Sequence, residues 1–240
     1  MSIRALIFDV DGTLADTEET HRRAFNAAFE RQGLRWHWSE REYGRLLSTP
    51  GGRERLRAHV ESLPIWSTER RLLASRIPAI HETKTAIYGH LLAAGHVPLR
   101  EGIARLIEQA ECAGIRLAIA STTTLANIEA LLCASFGPSA LERFAVVAAG
   151  DAVPRKKPAP DIYRRVLDEL RLLPSECVAL EDSALGLRAA KGAGLFTVVT
   201  PSRWTRHESF AGADWVTASL GSYESPLREL ERRRCTEACG

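Results

Sequence analysis

Past residue 98 the chain alternates between extended and helical signals, and that alternation restricts its fold more than any other feature. Apolar residues at helical spacing predict helices over 101–113, 125–134, 159–171 and 183–192. Short apolar runs between them predict strands at Arg116 to Ala120, Ala145 to Ala149, Cys177 to Leu180 and Phe196 to Val199, with a last short one at Asp214 to Val216. Such a succession builds a parallel sheet with helices on both faces. One further strand, Ile3 to Phe8, stands alone at the start. Residues 17 to about 94 hold no convincing strand. They show helical spacing at Ala24, Ala27, Ala28 and Phe29, at Leu56 to Val60 and at Leu72 to Leu92, broken by Gly33, Pro50-Gly51-Gly52 and Pro64. The prediction is an α/β, doubly wound parallel-sheet core of residues 1–16 and 97–240, with an all-helical cap of residues 17–96 inserted after the first strand. Trp36, Trp38 and Trp66 are expected to pack the cap's own small core. Thr17 and Gly95 to Pro98 flank the cap and are hinge candidates.

Ligands of such folds bind beyond the carboxyl ends of the strands. The first strand ends in Asp9-Val-Asp11-Gly-Thr. Side chains along a strand alternate, so Asp9 and Asp11 share a face and repel one another. A cation between them, or a proton on one, makes the pair tolerable. The second strand stops at Ser121-Thr122-Thr123-Thr124, the third reaches Gly150-Asp151 ahead of Arg155-Lys156-Lys157-Pro158, and the fourth stops at Glu181-Asp182-Ser183. Hydroxyls, a cation and two more carboxylates thus converge on the rim that carries the Asp pair. Asp9, Asp11, Asp182 and the nearby Glu181 form an all-oxygen set that suits Mg2+ better than zinc or iron, which favour histidine or cysteine. Ser121 and the amides after it can hold phosphate oxygens at a helix N-terminus, and Lys157, with Lys156 as its rival, can neutralise another. No G-x-x-x-x-G-K-[ST] and no G-x-G-x-x-G after a strand occur, so the site reads as phosphoryl transfer without a nucleotide cradle.

Composition narrows the partners. With 32 basic and 30 acidic residues among 240 there is no strong basic field, which argues against nucleic acid, and Arg232-Arg233-Arg234 reads as a solvated tail. Of the cysteines, Cys112, Cys133 and Cys177 fall in apolar stretches and are expected in the core, while Cys235 and Cys239 sit in a frayed tail and could pair under oxidation. No run approaches the ~18 apolar residues of a membrane span. The N-terminus enters a strand at once, so no signal peptide is expected, and a cytoplasmic monomer is the expectation.

The four strand-end motifs together resemble those of the haloacid dehalogenase superfamily phosphatases. Asp9-Val-Asp-Gly-Thr-Leu matches the first family motif, Ser121 the second, Lys157 in Lys-Pro-Ala-Pro-Asp the third, and Glu181-Asp182 the fourth. The likeness runs nearly end to end, with the helical cap in its usual place. A finer likeness is to the β-phosphoglucomutase-like subgroup, and within it to the CbbY-type phosphatases, which act on xylulose 1,5-bisphosphate, a dead-end inhibitor of the Calvin cycle enzyme Rubisco. Its cues are Asp16-Thr-Glu-Glu-Thr-His21, Thr49-Pro-Gly-Gly-Arg53-Glu-Arg and Ile80-His-Glu-Thr-Lys84-Thr-Ala-Ile-Tyr88, with Arg53 where many relatives carry lysine.

The resemblance implies a Rossmann-like core and a reaction. Asp9 attacks phosphorus to form an aspartyl phosphate, and Asp11 protonates the leaving alkoxide and then activates water. Mg2+ is held by Asp9, the Asp11 carbonyl and Asp182, with Glu181 supporting it, while Ser121, Thr122 and Lys157 hold the transferring group. In the cap, Glu18 and His21 lie one helical turn apart, as do His81 and Lys84. Gly51-Gly52 permits close backbone approach and Arg53 can fork onto a second phosphate, so a small sugar phosphate or bisphosphate is the expected partner. The alternatives are a hexose phosphomutase, a phosphoglycolate phosphatase and a catalytically silent phosphosugar-binding protein.

Overall fold

The computed structural model describes residues 2–95 and 97–237. His96, within the expected hinge, and Cys239 lie outside the described residues. The chain divides into two compact units, Met1–Asp16 with Val97–Gly240, and Thr17–His96.

The first unit is built on six strands, β1 (Ala5–Phe8), β2 (Arg116–Ala120), β3 (Phe144–Ala148), β4 (Cys177–Glu181), β5 (Phe196–Val199) and β6 (Trp215–Val216). They form one sheet in the order β3-β2-β1-β4-β5-β6, every pairing parallel. All four residues of β1 and all five of β4 are buried, which explains why these central strands read as unbroken apolar runs. Ala5 and Ile7 point to one face, where they join Ala118, Ala120 and Val146 of the sheet and Ile162, Val166, Leu167 and Leu170 of a helix over 161–170. The doubly wound parallel core and its helical insertion are as the alternation predicts.

Among the described residues the second unit holds four helices, α1 (Glu18–Arg31), α2 (Glu40–Leu46), α3 (Gly52–Ser62) and α4 (Ser67–Ala94). The helix α2 has no counterpart in the sequence expectation, because its 7 residues are too few to show a period. Its signal is a capping box: Ser39 accepts from the Glu42 amide at 3.3 Å, and Glu42 accepts from the Ser39 amide at 2.9 Å. Trp38 packs 4.8 Å from both Phe25 and Phe29, and Trp36 meets Phe29 edge-on at 5.4 Å. Trp66 departs from expectation. It precedes the first turn of α4 and is 83% exposed, outside that core.

The remaining helices belong to the core unit: α5 (Ile103–Cys112), α6 (Leu125–Phe136), α7 (Asp161–Leu170), α8 (Ala184–Gly192) and α9 (Pro226–Glu237). Cys112 and Cys133 are exposed, not core residues. Helix α5 buries Ile103, Leu106, Ile107 and Ala110, and α6 buries Ile128, Leu131 and Leu132, so each cysteine falls off its helix's apolar stripe. Cys177 is buried as expected. The segment that carries Cys235 is helical and not a frayed tail, and it also carries Arg232-Arg233-Arg234, of which Arg232 is exposed. It lies on α9, which buries Leu227 and Leu230, while Arg232 and Arg233 each reach Glu229 at 2.7 Å. No helix among the described residues is long and apolar enough to cross a membrane.

Candidate active site

Strand register assembles the site. Phe8 pairs with Ile119 of β2 and with Leu180 of β4, so the three central strands end almost level. Asp9 follows Phe8, and its amide donates to the Leu180 carbonyl at 3.0 Å. Ser121 follows Ala120, with its amide on the Ala148 carbonyl at 3.0 Å. Glu181 closes β4 and Asp182 comes next. These residues therefore share the carboxyl edge beside β1, where the strand order reverses.

Lys157 sits in their midst, 4% exposed. Its Nζ donates to Asp9 Oδ1 at 2.7 Å and to Glu181 Oε1 at 2.5 Å. The rival Lys156 approaches Asp151 at 3.7 Å. Tyr163, from the buried face of α7, donates its hydroxyl to the same Glu181 oxygen at 2.5 Å, and its ring lies 5.1 Å from Lys157 Nζ. Burial raises the Asp9 carboxyl to about 8, with Lys157 opposing and the charges of Glu181 and Asp11 adding to the rise. Burial alone would lower the Lys157 ammonium, but Asp9 and Glu181 outweigh it and hold the group above its ordinary value.

Lys157 pairs with two members of a cluster of three buried carboxylates. Asp9, Glu181 and Asp182 each offer an oxygen, all within 4.8 Å of one another. Glu181 Oε2 is buried without a hydrogen-bond partner among the described residues. Two glycines make the room: a Cβ on Gly12 would overlap the Asp182 carboxylate, and one on Gly186 would overlap Glu181 Oε2. An excess of buried negative charge with an unused oxygen fits a hard divalent cation. Asp11 stands at the start of a tight turn that pairs it with Ala15, and its charge is felt at Asp9.

The hydroxyl-rich loop wraps the N-terminus of α6. Ser121 is buried and its Oγ accepts from the Thr123 amide at 3.3 Å. Thr122 is half-buried beside it. Thr124 caps α6 by accepting from the Asn127 amide at 3.3 Å. Thr205 donates to Asp182 Oδ2 at 3.2 Å. Tyr163 and Thr205 are site neighbours that motif reading misses, the first because its spacing marks it as core, the second because it lies six residues past the end of β5.

In the helical unit the expected residues meet partners on neighbouring helices. His21 pairs with Lys84, whose ammonium donates to Nδ1 at 2.6 Å, and its ring stacks on Tyr88 at 4.1 Å. Lys84 is buried, 4.7 Å from the Tyr88 ring centre and 5.2 Å from that of Phe25. Gly51 and Gly52 begin α3, and a Cβ on Gly52 would stand 2.7 Å from His81 Nε2. Glu18, at the first position of α1, accepts from the Tyr43 hydroxyl at 2.6 Å. Arg53 is exposed, while Arg55, unremarked in the sequence, is buried and donates to Tyr43 Oη at 2.8 Å.

A family model described as haloacid dehalogenase-like hydrolase matches residues 3–194. The chain belongs to the haloacid dehalogenase-like hydrolases, and within them it is a phosphatase. Protein CbbY of Rhodobacter capsulatus is 50% identical over 222 residues, 92% of this chain and 96% of that protein. Among solved structures, CbbY from Rhodobacter sphaeroides, as an aspartate-to-asparagine mutant in complex with xylulose 1,5-bisphosphate, matches with a TM-score of 0.86 at 50% identity, covering 92% of this chain and 96% of that one. β-Phosphoglucomutase of Clostridium difficile shares the fold, with a TM-score of 0.76 at 20% identity, over 99% of this chain and 100% of that one.

Proposed function

We propose that this chain is a Mg2+-dependent phosphatase that hydrolyses xylulose 1,5-bisphosphate through an aspartyl phosphate on Asp9. The observation that carries the chemistry is Lys157 held between Asp9 and Glu181, with Asp182 within reach of both carboxylates. What supports the substrate is the 50% identity to a CbbY whose structure contains that bisphosphate.

Asp9 presents one carboxylate oxygen to phosphorus, forms the new P–O bond, and the ester P–O bond breaks. Asp11 gives its proton to the departing alkoxide, then takes one from the water that attacks the aspartyl phosphate. The P–O bond to Asp9 breaks, and phosphate leaves with the carboxylate restored. Lys157, Ser121 and Thr122 hold the transferring group and favour charge on its oxygens. Asp9, Glu181, Asp182 and the Asp11 carbonyl would hold Mg2+, which supplies charge neutralisation between carboxylate and phosphate. The helical unit is assigned the choice among esters, through Glu18, His21, Gly51, Gly52, Arg53, His81 and Lys84. The working form is a monomer in the cytoplasm.

A screen of sugar phosphates and bisphosphates for released phosphate, with and without Mg2+, tests this reading. Preference for a five-carbon bisphosphate is expected. Formation of glucose 6-phosphate from glucose 1-phosphate would instead make the chain a phosphomutase, and inertness toward every ester in Mg2+ would make it a binding protein.

A further inference from the structure

We propose that Arg100 is a positioning residue for Asp182, fixing this carboxylate for its cation by locking two loops of the core unit together. The inference rests on the metal reading above and adds a residue that no strand-end motif contains.

Arg100 reaches two segments that are far apart in sequence. Its Nη1 donates to the Gly12 carbonyl at 2.5 Å and to the Thr200 carbonyl at 2.5 Å, and its Nη2 donates to the Pro201 carbonyl at 3.0 Å. Its Nε lies 3.6 Å from Asp16 Oδ1, and its own amide donates to the Leu14 carbonyl at 2.8 Å. One residue thus engages positions 12, 14 and 16 of the loop after β1 and positions 200 and 201 after β5. A guanidinium presents five N–H donors in a fixed plane, which is what spanning several carbonyls demands.

Those two loops both reach Asp182. In the first, the Gly12 backbone approaches the carboxylate so closely that a side chain there would collide with it. In the second, Thr205 donates to Asp182 Oδ2 at 3.2 Å, and the Ser202 amide donates to Thr205 Oγ1 at 2.9 Å, which sets that hydroxyl. The Thr200 amide also donates to the Glu181 carbonyl at 2.8 Å, so the same segment is tied to the end of β4. Both loops meet the Asp182 carboxylate at Oδ2, and the two are joined through Arg100. A staple that served folding alone would lower stability without touching the cation. A positioning residue must change cation affinity as well.

Calorimetric titration of Mg2+ into the full-length chain separates these roles. Wild type, Arg100→Lys, Thr205→Val and the double variant are compared, and thermal midpoints are recorded alongside. Removing an outer hydrogen-bond partner of a metal ligand typically weakens metal affinity by about 10–100-fold. Arg100→Lys and Thr205→Val are each expected to weaken Mg2+ binding by about tenfold, and the double variant to bind little worse than the weaker single, because both act on one carboxylate. Wild-type affinity in Arg100→Lys, whatever its thermal midpoint, overturns the inference, as do fully additive losses in the double variant. Should Arg100→Lys fail to fold, Arg100→Gln, which keeps an amide donor, is read by the same two outcomes. A wild-type chain that takes up no Mg2+ overturns the metal reading and this inference with it, whereas binding in wild type with unaffected variants overturns this inference alone.

Discussion

The Tyr163 hydroxyl donates to Glu181 Oε1 at 2.5 Å, the same oxygen that receives Lys157. Tyrosine in place of phenylalanine on a buried helix face is costly unless the hydroxyl finds a partner, and here the partner is a site carboxylate. Tyr163→Phe keeps the ring beneath Lys157 and removes one donor from Glu181. A hydrogen bond to a charged group contributes about 1.5–3 kcal/mol, so stability in urea should fall by roughly that amount. Glu181 should then draw Lys157 more strongly, weakening inhibition by inorganic phosphate. Unchanged phosphate inhibition would leave Tyr163 with a packing role only.

Gly12 and Gly114 both adopt positive φ, at +85° and +70°, but only at Gly12 would a Cβ meet a carboxylate. Alanine at either position carries a backbone cost of about 1–2 kcal/mol. Gly12→Ala must in addition displace Asp182. Both variants should melt earlier, and only Gly12→Ala should lose phosphate release. Equal activity in the two would mean that Asp182 tolerates displacement.

Burial raises Asp9 to about 8, above its ordinary 3.8. The folded chain then holds that proton more tightly than the unfolded chain. This group's contribution to stability is greatest below pH 3.8 and is lost as pH rises through 8. A divalent cation binds the deprotonated carboxylate and offsets the loss. The rise in melting temperature on adding Mg2+ should therefore be larger near pH 8.5 than near pH 6. An equal rise at both would contradict a protonated Asp9 in the metal-free chain.

If the helical unit selects for a second phosphate, Lys84→Met and Arg53→Ala should raise KM for the bisphosphate by roughly 10–100-fold, the worth of one charge-assisted hydrogen bond. Hydrolysis of p-nitrophenyl phosphate, which has no second phosphate, should stay near wild type. Parallel losses on both substrates would remove the helical unit from substrate choice.

The core unit was largely legible because its central strands β1 and β4 are buried on both faces and its polar residues gather where the strands end. The runs at 116–120 and 196–199 coincide with β2 and β5, while β1 starts at Ala5 instead of Ile3. Adjacent Lys156 and Lys157 cannot be ranked from composition, and only the path of the loop decides which one is buried. Tyr163, Thr205 and Arg100 escape motif reading because they act on the site through partners distant in sequence. In the helical unit, spacing along α1 puts His21 one turn from Glu18 but gives no sign that it meets Lys84 of α4. Pairings between helices depend on tertiary contacts that periodicity along one helix does not encode.

Rapid-quench analysis of a single turnover, with substrate labelled in the transferred phosphoryl group, tests the central claim most directly. Wild type in Mg2+ should carry a transient, hydroxylamine-sensitive label on Asp9, and Asp9→Asn should show neither label nor phosphate release. Turnover by Asp9→Asn at the wild-type rate, or label on another residue, would contradict the account.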